Sequence, residues 1–151
     1  MSGRGARKRG AKVPGGSFKF FGHDADIGMQ VSAETLEGLF AAAAEGMTAV
    51  LTVPSVVRAR RKLRVSVSGS SREEALVNWL REWLYLYEAG RFVARRFKVE
   101  HAGENGAAGE GSGERRAGRH PALREIKGVT WHQAEVKKAG NGWKARVIFD
   151  V

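Results

Sequence analysis

The last residues of the sequence read Lys138-Ala139-Gly140-Asn141-Gly142-Trp143-Lys144-Ala145-Arg146-Val147-Ile148-Phe149-Asp150-Val151. Ala139-Gly140-Asn141-Gly142 is a strong hairpin signal between two runs of strand-forming residues. It predicts a strand over Glu125–Lys138, a tight turn, and a strand over Trp143–Val151. Successive side chains of a strand face opposite ways. Trp143, Ala145, Val147, Phe149 and Val151 therefore share one face, and Lys144, Arg146, Ile148 and Asp150 the other.

Working back along the chain, Phe18–Phe21 and Ile27–Ser32 also read as strands. Leu63, Val65 and Val67 alternate with Arg64, Ser66 and Ser68, a half-buried strand. Arg91–Glu100 reads as another, with Arg95-Arg96 breaking the alternation and predicting a bulge. Two helices interrupt this pattern. The first runs from about Leu36 to Leu51 behind an N-cap at Thr35, with Leu36, Leu39, Phe40, Ala43, Ala44, Met47, Val50 and Leu51 as one apolar stripe. The second begins at Ser71, whose spacing to Glu74 makes a capping box. It carries Ala75, Leu76, Trp79, Leu80, Trp83, Leu84 and Tyr87 inward, and ends at Gly90. This order predicts a single α+β domain with two helices packed on a largely antiparallel β-sheet. Residues 1–17 read as a disordered basic tail, and about 102–119 as a flexible Gly-, Ala- and Glu-rich loop.

Composition narrows the function. A length of 151 residues and 42% hydrophobic content suit one domain with its own core. Cysteine is absent, which excludes disulfides, thiolate zinc sites and a Cys nucleophile. No apolar run approaches the roughly 20 residues of a membrane span, and the basic N-terminus lacks a signal-peptide core. The expectation is a cytoplasmic, soluble protein. Of the net charge of +10, half lies in residues 1–12, on Arg4, Arg7, Lys8, Arg9 and Lys12. The tail is thus either a solvated segment or an arm that lingers near RNA phosphates.

The acids are more telling. Gly22-His23-Asp24-Ala25-Asp26-Ile27-Gly28 near one end and Asp150 at the other place carboxylates in apolar surroundings, with Val151 read as supplying a terminal carboxylate. Adjacent oxyanions are costly to desolvate unless something positive meets them. Asp26 either caps a turn or joins Asp150 and Val151 around a hard cation; Asp150 either pairs with a neighbouring base or serves the same site. Oxygen donors without thiolate favour Ca²⁺, Mg²⁺ or Mn²⁺ over zinc. His23 and His132 are more often structural than ligating, and Lys127 lies on the expected partner strand of Asp150. Phosphate-binding loops, GxGxxG, HExxH and GxSxG are all missing, so no catalytic residues are assigned.

These residues resemble a known family. Gly22-His23-Asp24-Ala25-Asp26-Ile27-Gly28 is similar to the His-Thr-Ala-Asp-Ile-Gly opening of the archease family. Thr35-Leu36-Glu37-Gly38-Leu39-Phe40 resembles its first helix, and Asn78-Trp79-Leu80-Arg81-Glu82-Trp83-Leu84-Tyr85 its second. Gly113-Glu114, Arg119-His120 and Glu125-Ile126-Lys127-Gly128-Val129-Thr130-Trp131-His132 follow in the family's order, as does the Phe149-Asp150-Val151 ending. The resemblance spans about Phe18 to Val151. It differs in Asp24 for Thr, Arg81 for Asn, Trp83 for Leu and Gly38 for an acid.

The resemblance implies a protein cofactor rather than an enzyme. Archeases assist the RtcB-type tRNA-splicing RNA ligase, promoting its guanylylation and multiple turnover. They bind a divalent cation, Ca²⁺ foremost, with Mg²⁺ or Mn²⁺ as alternatives. Carried over, the metal residues are Asp26, Asp150 and Val151. His23, Asp24, Glu82, Lys127 and His132 are candidate contacts to ligase or nucleotide. RNA contact would be weak or indirect. The rival is a stand-alone basic RNA-binding module using the tail, Arg58-Ala59-Arg60-Arg61-Lys62 and Arg95-Arg96 as a phosphate track. A metal-dependent phosphohydrolase and a purely structural chaperone are the remaining classes.

Overall fold

A computed structural model describes residues 10–22 and 25–151. The elements run β1 (Gly10–Val13), β2 (Gly16–Phe21), β3 (Asp26–Ala33), α1 (Leu36–Leu51), a 3₁₀ turn (Pro54–Val56), β4 (Arg61–Ser68), α2 (Arg72–Glu88), β5 (Val93–Gly103), β6 (Gly106–Glu114), β7 (Gly128–Ala139) and β8 (Gly142–Asp150). The fold is α+β and antiparallel, but the expected single sheet is two. Among the described residues a five-stranded sheet has the order β1-β2-β3-β8-β7, and a three-stranded sheet the order β4-β6-β5.

The helices form for the reasons their ends announce. Thr35 Oγ1 accepts the Gly38 N–H at 3.0 Å, and Ser71 Oγ the Glu74 N–H at 3.1 Å. Glu74 reaches back to the Ser70 N–H, one residue earlier than a capping box requires. Gly90, at φ 71°, closes α2: its N–H bonds the Tyr87 carbonyl and the Arg91 N–H that of Leu86, the paired bonds of a Schellman end.

Both helices touch both sheets. α1 packs on β2, β3 and β8 of the larger sheet and on β5 of the smaller; α2 packs on β7 and on β4, β5 and β6. Burial of α1 consequently exceeds the expected stripe: Ala41, Ala42, Glu45 and Gly46 are enclosed as well. A helix covered on two sides needs small residues where backbones approach, hence the alanine run. The Trp79 indole N–H bonds the Phe40 carbonyl at 3.1 Å, tying the two helices together.

Two low-complexity expectations are corrected. Residues 10–17 are not tail: β1 pairs with β2 in register Gly10↔Lys19 through Val13↔Gly16. The tail residues 1–9 lie outside the described residues. The stretch 102–119 is not a flexible loop, because β6 is the central strand of the smaller sheet. Its inward positions are glycines for two reasons: Gly109 and Gly113 lie against the β5 backbone, where a Cβ would fall 2.4 Å from the Lys98 carbonyl oxygen and 1.9 Å from that of Val93, and Gly111 faces the Trp83 ring. A Cβ on Gly111 would come within 2.8 Å of that ring and 2.9 Å of the Ala94 Cβ. Trp83 lies edge-on to Phe97 with centroids 4.9 Å apart, so the bulk of this layer comes from the helix. The predicted bulge at Arg95-Arg96 is present as a register shift between Ala94 and Arg96.

Candidate functional site

The two ends of the acidic pattern meet. β3 and β8 pair in register Asp26↔Asp150, Ile27↔Phe149 and Gly28↔Ile148. The Val151 N–H donates to the Ala25 carbonyl at 3.1 Å, outside the Asp pair. That pattern makes Asp26 and Asp150 a non-hydrogen-bonded cross-strand pair, the kind whose Cα atoms stand about 4.5 Å apart with side chains on one face. Both residues are exposed. Neither forms an ion pair with a basic side chain among the described residues, so the reading of Asp150 as a surface acid with a basic partner is not what the fold provides.

The Gly28 that follows is dictated by its partner. Gly28 stands opposite Phe21, whose ring lies across it: a Cβ at Gly28 would fall 2.1 Å from the Phe21 Cζ. The Arg146 guanidinium stacks over the same ring at 5.2 Å. Phe21 and Ile148 thus form an apolar row beside the two acids.

Lys127 reaches the site through its main chain, its N–H donating to the Asp150 carbonyl at 2.7 Å. Its side chain is exposed and makes no ion pair among the described residues. The strand expected from Glu125 begins only at Gly128. His132 is not brought to the acids. It sits in a four-residue bulge, 131–134, where β7 leaves β8 between Thr130↔Ile148 and Glu135↔Arg146. Gln133 there adopts φ 66°, and Trp131 is 54% exposed. Glu82 lies half-buried on α2 beside Arg81. Arg81 donates to the Val129 carbonyl at 3.0 Å while Glu73 accepts the Val136 N–H, so α2 satisfies the open edge of β7. His23 and Asp24 lie outside the described residues.

The sequence reading missed what holds Lys127 in place. Glu114, at the end of β6, accepts the Arg58 N–H at 2.9 Å, pairs with Arg119, and meets His120 Nε2 at 2.9 Å. The Ala117 N–H donates to His120 Nδ1 at 2.9 Å, so Nε2 carries the proton and donates to Glu114. The Arg58 N–H, then the His120 hydrogen bond and the Arg119 charge, pull Glu114 down to about 2. This clasp and the buried Ile126 anchor the 115–127 segment. The Gly-Glu and Arg-His motifs were the available signal; their spacing alone does not say that they touch.

Three cations of the expected phosphate track have acidic partners within the fold. Arg60 pairs with Glu114 at 3.8 Å, Lys62 with Glu110 at 3.5 Å and Arg96 with Glu45 at 3.7 Å.

The model of the Archease protein family (MTH1598/TM1083) matches residues 18–151. The chain belongs to the archease family. It is 35% identical over 142 residues to "Protein archease" of Methanosarcina mazei, covering 91% of this chain and 97% of that protein. The Methanothermobacter thermautotrophicus protein of the same name is 32% identical over 137 residues, at 89% and 98% coverage. The solution structure of Methanobacterium thermoautotrophicum protein 1598 superposes with a TM-score of 0.75 at 32% identity, covering 89% of this chain and 98% of that one. A Thermotoga maritima crystal structure, described as an archease and possible chaperone, gives 0.61 at 19% identity over 85% and 93% of the two chains, which shows a shared fold. In this archease no helix of the described residues is long and apolar enough to cross a membrane.

As a metal site the donor set is partial. Among the described residues no group of three or more His, Cys, Asp or Glu side chains gathers. Two carboxylates side by side, without a basic partner among the described residues and next to the main chain of Val151, nonetheless suit a hard divalent cation in chemistry and charge. Ligands beyond these two would come from main chain, water or a partner.

Proposed function

We propose that this archease is a metal-binding protein cofactor of an RtcB-type tRNA-splicing RNA ligase, promoting its guanylylation and multiple turnover in tRNA splicing. Family membership supports the reading. The observation that carries it is the pairing of Asp26 with Asp150 at an exposed sheet end, with no ion pair to a basic side chain among the described residues. Like charges directly opposite each other on a sheet disfavour the free fold. Such a pair is useful where a cation from elsewhere meets it.

Asp26 and Asp150 would hold Ca²⁺, Mg²⁺ or Mn²⁺, with the Val151 main chain beside them. The bound ion supplies charge neutralisation at nucleotide phosphates. The chain's own residues do the positioning. The Glu114–His120–Arg119 clasp sets the segment that delivers Lys127, whose ammonium is free to meet a phosphate oxygen or an acidic partner residue. The exposed Trp131 bulge and Glu82 are the candidate protein–protein contacts on the flank.

The test is ligase guanylylation and multiple-turnover RNA joining with wild type, Asp26→Asn and Asp150→Asn, each checked by far-UV circular dichroism. Stimulation by wild type and its loss in both folded variants is the expected outcome. Normal stimulation by both variants removes the carboxylate pair from the mechanism. No stimulation by wild type removes the ligase as partner.

A further inference from the structure

The outer face of the five-stranded sheet is polarised in a way the acid tip does not explain. Register places side chains of one face in rows across β1, β2, β3, β8 and β7. The first row is Lys12, Ser17, Ser32, Lys144 and Lys137; the second is Gly10, Lys19, Gln30, Arg146 and Glu135. The apolar row of Phe21 and Ile148 follows, and the Asp pair lies last. The first two rows carry five cations against one acid, and no helix of the described residues covers them. All of them but Lys12 and Gly10 line a shallow depression of about 570 Å³.

We infer that this face binds single-stranded RNA, with phosphates on Lys12, Lys19, Lys137, Lys144 and Arg146. Lys144 stands directly opposite Lys137, an arrangement unfavourable in the free protein and relieved by a polyanion. Glu135, the one acid of the field, pairs with Lys137 at 3.7 Å and stands opposite Arg146, leaving Lys12, Lys19 and Lys144 without an acidic partner among the described residues. Ser17, Ser32 and Gln30 lie between the cations as neutral hydrogen-bonding groups, matched to ribose hydroxyls and base edges rather than to carboxylates. The Arg146 guanidinium, stacked on Phe21, offers a flat surface at the border of the apolar row where a base can stack. The Asp pair at the far end repels phosphate and sets the limit of the track. This surface is separate from Arg58–Lys62 and Arg95-Arg96, and its RNA binding does not depend on the metal or the ligase.

The experiment is fluorescence anisotropy of a labelled oligouridine of about ten nucleotides, titrated with the full chain over a range of salt concentrations. Two backgrounds are used, native and Arg4→Gln/Arg7→Gln/Lys8→Gln/Arg9→Gln, so that the tail's own attraction is separated. In each, Lys19→Gln/Lys144→Gln/Arg146→Gln is expected to weaken binding at least about tenfold and to flatten the log–log salt slope by about 2, at roughly 0.7 per phosphate contact. If circular dichroism shows that the triple variant misfolds, the exposed pair Lys19→Gln/Lys144→Gln reads the same effect with a slope change of about 1.4. Unchanged affinity and slope in the face variants overturn the inference. So does polyglutamate that displaces the RNA as well as unlabelled oligouridine does, which would assign the face to an acidic protein.

Discussion

Replacing Asp150 by Asn should stabilise the metal-free protein. Asp26 and Asp150 are directly opposed, and no basic side chain among the described residues pairs with either. Carboxylates on such a pair, about 5 Å apart, repel by about 0.8 kcal/mol in bulk water and by about 3 kcal/mol at an effective dielectric of 20. Their exposure puts the value near the lower figure. For a chain of this length about 1 kcal/mol shifts the midpoint by roughly 2–4 °C. The assay is thermal unfolding in chelator at low salt, where Asp150→Asn should melt about 2–3 °C above wild type. The gap should shrink in molar salt as the Debye length falls to about 3 Å. Adding a divalent cation should invert the order. A ligand that binds the native state at a hundred times its Kd contributes about 2.7 kcal/mol, and the variant forfeits most of it. Wild type should then melt higher. A variant that is less stable than wild type in chelator would show that Asp150 is structural. An order that no divalent cation reverses would show that the pair does not hold one.

Stability should have a two-sided pH profile. Burial pushes Glu45 up to about 6, against the Phe97 N–H it accepts and the Arg96 charge. Its folded pKa exceeds the unfolded value of 4.5, so stability rises as pH falls from about 6 towards 4.5, by about 2 kcal/mol. Glu114 is depressed to about 2, so its contribution is full above 4.5 and is lost as pH falls from there towards 2. Urea midpoints across pH should therefore show a maximum near 4.5–5 that Glu45→Gln flattens on its neutral side; an unaltered profile refutes the assignment. Gly28→Ala should destabilise by about 1–3 kcal/mol, because its Cβ meets the Phe21 ring. Urea unfolding checks this, and if Phe21→Leu/Gly28→Ala does not recover part of the loss, the ring contact is not the cause.

Both helices and their ends were legible because the decisive signals are local: Thr35 and Ser71 bond N–H groups three residues on, and Gly90 needs only its own left-handed φ. The β7–β8 hairpin was legible for the same reason, with Gly140 at φ 59° in its turn. The acids were legible as anomalies and, through family resemblance, as a set. β6 was not, since a strand read from alternation needs apolar side chains, and here Trp83 from α2 occupies that space at Gly111 while the β5 backbone closes it at Gly109 and Gly113. In β1 only Val13 packs against the core and Ala11 is exposed, too little to mark a strand against a Gly- and Lys-rich background.

By itself the sequence determined the two helices, most of the strands, the α+β class, the family, and which residues of β8 face in or out, all of which depend on near neighbours or on the period of two along a strand. Tertiary structure alone decided the rest. It split the strands into two sheets around α1, joined Glu114 to His120 and Arg58, and paired Lys62 with Glu110 while leaving Lys144 opposite Lys137. Above all it set Asp26 against Asp150, which lie far apart in the sequence. Local propensity carries no information about which strands pair. Register between distant strands is set by the burial of Met29, Val31, Val147 and Phe149 in one core, and a slip by one residue would turn those side chains to solvent.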